Sequence, residues 1–221
     1  MRKLAILGGI GYIIIFVTGI FANFFVIESY KVQGDLEATY LNFGNNYNML
    51  IWAIMAFMLM IVFDGVLTGV LYFLFKKVNN KLSKITAWFR LINVLFFGIA
   101  LVKLFDVFKA IKSFDDINTS AIIIDNALKS FNDIWLIGLV FFGVHLVLLS
   151  ILLKKSKQVY RVIPILLLIA GIGYIIDTAL QFGYSNYDSI KNISAFIVIL
   201  PGVVGELSLT SWLLFKAGKN K

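Results

Sequence analysis

Asn48–Phe75 reads NMLIWAIMAFMLMIVFDGVLTGVLYFLF, and its only charged side chain is Asp64. As a helix at about 1.5 Å per residue such a run is longer than the ~30 Å hydrocarbon core of a bilayer. Lipid offers no hydrogen-bond partner to a free backbone, and the stretch lacks the alternation of a membrane barrel strand. It therefore predicts a transmembrane helix. Working outward, five further runs of the same kind are found, giving spans at 4–27, 48–75, 85–108, 134–153, 162–183 and 193–215. The expected fold is all-α, a polytopic membrane protein whose six transmembrane helices form a single domain over residues 1–221.

Composition agrees, since 60% of the 221 residues are hydrophobic and 14% charged, against roughly 45–50% and about 25% in soluble domains. One soluble core cannot hide that much apolar surface. Met1-Arg2-Lys3 ahead of the run from Leu4 to Ile27 has the charge pattern of a signal peptide. The run exceeds an h-region and no A-x-A site follows, so it is read as an uncleaved first helix.

A formal charge of +8 raises the question of nucleic acid, which needs the basic residues in one patch. They are instead divided among the connections. Arg2, Lys3, Lys76, Lys77, Lys81, Lys84, Lys154, Lys155, Lys157, Arg161, Lys216, Lys219 and Lys221 occupy the N-terminus, the second and fourth loops and the tail, with no acid among them. Lys31, Lys109, Lys112, Lys129 and Lys191 share the other three loops with Glu28, Asp35, Glu37, Asp115, Asp116, Asp125, Asp133 and Asp188. Positive residues stay on the cytoplasmic side during insertion, so both termini are expected inside (N-in/C-in). Nucleic acid is set aside, and membrane lipids are the expected partners of the basic loops. Trp52 and Trp135 fall near outer span ends, Trp88 and Trp212 near inner ones, as interfacial anchors should.

The connection from Lys109 to Asp133 puts Ile124, Leu128 and Phe131 on one helical face, which predicts either a short helix lying flat in the outer interface or an ordinary loop. The hexapeptide Gly-Ile-Gly-Tyr-Ile-Ile occurs twice, at Gly9–Ile14 and Gly171–Ile176.

With no cysteine, disulfides, thiolate catalysis and Cys-based metal sites are excluded. The informative residues are then the ionisable ones kept inside the spans, where each costs about 2.5–3.5 kcal/mol at a helix centre. Arg90 is near enough to the cytoplasmic end of its span for the guanidinium to snorkel, but it is equally a candidate member of a ligand or proton site, while Lys103 and Asp106 pair at i, i+3 near an outer end. His145 and Glu206 fall close to the midplane, with Asp64 and Asp177 extending the set. Tyr174, Asp177 and Gln181 share a face of span five. Such groups face the bundle interior and find one another there, so a buried His–carboxylate cluster centred on His145 and Glu206 is expected. One His and three carboxylates lack the H-x-x-x-H or E-x-x-H spacing of a metal site, and no G-x-S-x-G elbow marks a nucleophile. No metal or cofactor is expected. Pro201, which cannot donate to the carbonyl of Ile197, predicts a kink beside Glu206.

The stretches His145–Leu149, Val159–Arg161, Ala170–Asp177 (AGIGYIID) and Pro201–Leu214 (PGVVGELSLTSWLL), with Gly8–Tyr12 and Arg90, resemble the family catalogued as domain of unknown function 4386. That family often carries a glutamate three residues after the arginine, where this chain has Asn93. The resemblance implies a multi-pass protein of the bacterial cytoplasmic membrane, singles out His145, Tyr174, Asp177 and Glu206, and brings no established activity. Three readings stay open: a protein that binds or transports a small or lipidic ligand coupled to protonation, a membrane-embedded enzyme acting on a lipid-linked substrate, and a structural or regulatory membrane partner.

Overall fold

The computed structural model describes residues 1–113 and 116–218, and every regular element among them is helical. Helix α1 (Arg2–Ile20) passes into a π-helical stretch, Phe21–Ile27, and a closing turn, Glu28–Tyr30. There follow α2 (Leu36–Asn45), α3 (Tyr47–Phe75), α4 (Asn80–Ser113), α5 (Ile117–Ser156), α6 (Val162–Gly183) and, after a 3-10 turn at Tyr187–Ser189, α7 (Lys191–Phe215). Among the described residues six helices are long and apolar enough to cross a membrane: α1 with its extension to Tyr30, and α3 to α7. Asp115, Lys219 and Lys221, which entered the charge pattern above, lie outside the described residues.

Local chemistry sets the boundaries. The Asn79 side chain accepts from the Leu82 amide (2.9 Å) at the head of α4, and Asp116 accepts from the amides of Asn118 (3.3 Å) and Thr119 (3.0 Å) at the head of α5. Each satisfies donors that an α-helix leaves free in its first turn. Pro164 sits in the first turn of α6, where its missing N–H costs nothing.

The segment expected as a loop or a flat interfacial helix is neither. Residues Ile117–Ser156 form one helix of 40 residues, roughly 60 Å long at about 1.5 Å per residue. The apolar face read from Ile124, Leu128 and Phe131 is real, but it is buried in protein, and no proline interrupts the helix where the connection was expected to end. The first connection also gains α2, capped by Asp35, whose carboxylate accepts from Ala38 N at 2.8 Å.

The chain divides into two compact units, one of residues 1–13, 63–94 and 136–221, the other of residues 14–62 and 95–135. In the first, small residues bring helices close together. A Cβ on Gly143 of α5 would lie 2.6 Å from the carbonyl oxygen of Gly171 on α6, so neither position admits a side chain without separating the helices. The Arg2 guanidinium donates to the carbonyls of Leu213 and Ala217 (3.0 Å each) and of Leu214, capping the negative end of α7 with a cation. The start of α1 and the end of α7 thus meet, which agrees with an even number of crossings. In the second unit the core is aromatic: Trp135 stacks on Phe97 with centroids 3.6 Å apart, and Phe57 packs against Phe131 and Trp135.

The tryptophans divide. Trp52 and Trp88 are 57% and 63% exposed, available to an interface, while Trp212 is buried and donates its indole N–H to the carbonyl of Gln158 (3.1 Å).

Candidate functional site

The polar groups of the first unit converge on Arg90. The side chain is 1% exposed and does not snorkel. Asp64, one helix away on α3, supplies a counter-charge at the same depth, so the guanidinium has no need of the headgroups. Nη2 of Arg90 donates to Asp64 Oδ1, and the second carboxylate oxygen accepts from Asn93 Nδ2 at 3.0 Å. Nη1 donates to the Tyr12 hydroxyl (3.3 Å) and to His145 Nε2 (3.0 Å). The rings of Tyr12 and Phe142 lie 5.4 and 5.5 Å from the guanidinium carbon, within cation–π range.

These partners fix the state of the histidine. An arginine N–H only donates and a backbone carbonyl only accepts. Nε2 faces Arg90 and Nδ1 faces the carbonyl oxygen of Thr86 at 2.9 Å. The hydrogen therefore resides on Nδ1, and His145 is a neutral ring whose two nitrogens are both committed. The crevice beside it, lined by Thr68, Tyr72, Ser83, Thr86 and Leu149, is too tight to admit a water molecule. Within this network only Arg90 Nε and Asn93 Oδ1 are buried side-chain polar atoms without a partner.

Glu206 stands differently. It is 8% exposed and lies within electrostatic reach of Arg90, Tyr12 and Tyr174. Among the described residues no side chain hydrogen-bonds its carboxylate; only its backbone carbonyl is engaged, by the Thr210 hydroxyl (2.7 Å). A Cβ on Gly202, one turn before Glu206 on the same face of α7, would sit 3.5 Å from the Tyr174 hydroxyl. That hydroxyl therefore lies along the Glu206 face. Tyr12 and Tyr174 occupy the same position in the two copies of Gly-Ile-Gly-Tyr-Ile-Ile. The repeat sets a tyrosine on each of two helices around one carboxylate, and its glycines allow the approach.

The structure thus brings Asp64, Arg90 and His145 into direct contact and leaves Glu206 beside them with no bond to His145. Asp177 belongs to neither group. Its oxygens accept from Gln181 (2.7 Å), from the Tyr187 hydroxyl (2.7 Å) and from Ser194, a clasp across the α6–α7 connection. Among the described residues no three His or carboxylate side chains lie close enough together to hold a metal ion. Sequence reasoning did not place Tyr12, Asn93 or Phe142 in the cluster. The repeated hexapeptide was a signal for Tyr12, and the i, i+3 spacing from Arg90 was one for Asn93. Nothing in the sequence marks the Thr86 carbonyl.

Among the described residues six helices long and apolar enough to cross a membrane, four of them joined by a bonded ionic network, define a multi-pass helical membrane protein. Residues 7–217 match the family described as domain of unknown function DUF4386, and the chain belongs to that family. It is similar to an uncharacterised protein of Archaeoglobus fulgidus, 30% identical over 174 residues that cover 79% of this chain and 89% of that protein. The bacterial setting implied by the sequence resemblance gains no support from this archaeal relative. No solved structure matches.

Proposed function

We propose that the protein binds a small or lipidic ligand bearing a basic group, in exchange with a proton, at Glu206, as a cell-membrane protein with both termini in the cytoplasm. The observation that carries this reading is the contrast in partners. Arg90, Asp64 and His145 are matched to one another, while Glu206, 8% exposed and with its carboxylate oxygens still accessible, is left without a hydrogen bond from any described side chain. An uncompensated carboxylate deep in a helical membrane protein is costly. It calls for a counter-charge from outside the chain, either a proton or a cationic group. The hydroxyl oxygens of Tyr12 and Tyr174 can accept from a cationic group that the carboxylate holds, and Arg90, already answered by Asp64, supplies a fixed field in place of a second partner.

On this reading the Arg90–Asp64–His145 network has the structural role. Its bonds hold α1, α3, α4 and α5 in one register within their unit, so that Glu206 and the tyrosines are set by rigid helices. The acid-free connections at 76–84 and 154–161, together with the N-terminus, support the cytoplasmic placement of that face.

Native mass spectrometry of the protein purified in mild detergent tests the proposal. Wild type is expected to carry a species of added mass that is shed on acidification and is absent from Glu206→Gln. Identical spectra for wild type and variant, at neutral and at acid pH, contradict it.

A further inference from the structure

The second unit contains a largely apolar groove, edged by charged and polar side chains, that the proposal above does not use. It is a cavity of about 370 Å³ between α4 and α5, inside the roughly 300–1,000 Å³ range of ligand pockets. Lys103, Asp106 and Lys109 of α4 line one wall, Asn126 and Ser130 of α5 the other, and the alanines Ala110 and Ala127 keep the floor clear.

Donors outnumber acceptors in this groove. Lys103 meets Asp106 at 3.8 Å, with the two side chains 38% and 42% exposed. So long and wet an ion pair contributes little and opens readily. Lys109 has no carboxylate within 4.0 Å among the described residues. Two ammonium groups, a carboxamide and a hydroxyl face one carboxylate that answers only one of them. The surrounding surface is apolar: Ile99, Val102 and Ile122 are exposed on the same two helices. Lys109 falls one residue beyond the span expected at 85–108, where a headgroup phosphate would lie.

From this juxtaposition we infer that the groove between α4 and α5 is a phosphate-binding site, formed by Lys103, Lys109, Asn126 and Ser130, that takes the headgroup of a membrane phospholipid or a soluble phosphate compound. The lysines supply the charge, and Asn126 and Ser130 supply directed donors that lysines alone lack. The exposed apolar residues beside the opening give a lipid source somewhere to lay its chains. Asp106 is left to repel a bare anion or to meet a headgroup ammonium, and so biases the site toward phosphodiesters.

The test uses the full chain in detergent, exchanged into phosphatidylglycerol, with retained lipid counted by native mass spectrometry. Lys103→Gln/Lys109→Gln is expected to retain about tenfold less lipid than wild type. Asn126→Ala/Ser130→Ala, which leaves charge unchanged, is expected to retain severalfold less. Inorganic phosphate added to the wild type distinguishes the sources. Displacement of lipid at millimolar phosphate indicates a soluble phosphate site; displacement by competing phospholipid alone indicates a headgroup site. Retention unchanged in both double variants overturns the inference. So does an equal loss in Lys154→Gln/Lys155→Gln, exposed lysines at the far end of α5, because the effect would then be diffuse charge.

Discussion

In the unit of residues 1–13, 63–94 and 136–221 the helices meet over an arginine, an aspartate, a histidine and an asparagine, whereas in the unit of residues 14–62 and 95–135 they meet over Phe57, Phe97, Phe131 and Trp135. Lipid tails are as apolar as leucine, so aromatic packing gains contact and shape but gives a helix little reason to prefer one rotation about its axis. A buried ion pair with a directed histidine does give that reason, because any other rotation leaves a charge unanswered. The polar unit is therefore the one built to hold groups at fixed positions, and it is the one that contains Glu206.

The largest effect is expected from breaking the pair. Arg90→Met leaves Asp64 buried and uncompensated, which costs about 3–5 kcal/mol when one partner of a buried pair is removed. Adding Asp64→Leu should restore most of the loss, because two apolar groups replace both charges. In the aromatic unit Phe57→Leu should cost only about 1–2 kcal/mol, with no single second substitution that rescues it. Thermal unfolding of the four proteins in one detergent checks the contrast; a double variant no better than Arg90→Met alone breaks it.

Coupling within the polar unit sharpens the comparison further. A double-mutant cycle of His145→Phe with Arg90→Met should give an interaction energy above about 0.5 kcal/mol, while His145→Phe with Glu206→Gln should be additive within about 0.5 kcal/mol. A strong His145–Glu206 coupling would restore the cluster anticipated from depth alone.

That anticipation shows where the sequence was legible. Apolar runs bounded by basic clusters marked all six crossings, because a bilayer demands length and hydrophobicity that few other environments tolerate. The depth of Asp64, His145 and Glu206 marked them as members of an interior group. Rotation about each helix axis was not legible: for Arg90 the choice between headgroup and Asp64 depends on which face of α3 is turned toward it, and His145 was claimed by a backbone carbonyl that has no sequence signature. The connection before Trp135 was misread for a related reason. Ile124, Leu128 and Phe131 declare an apolar face, but not whether lipid or Phe57 covers it.

The smallest effect concerns the head of α5 in the aromatic unit. The hydroxyl and amide of Thr119 hold the Asp116 carboxyl below the ordinary aspartate range, with the Asn118 amide assisting. A carboxyl lowered in the folded state adds stability that is fully present above its unfolded value, about 3.9, and is lost as pH falls through its folded value. Asp116→Asn should therefore lie slightly below wild type in melting temperature at neutral pH and converge with it on acidification. A difference that grows as pH falls contradicts the capping role.

The claim that Glu206 is the unmatched group is tested most directly by infrared difference spectroscopy of the reconstituted protein on a pH step. The account predicts a carboxyl C=O band that changes with pH, vanishes in Glu206→Gln and survives in Asp177→Asn; a pH-difference spectrum left unchanged by Glu206→Gln would contradict it.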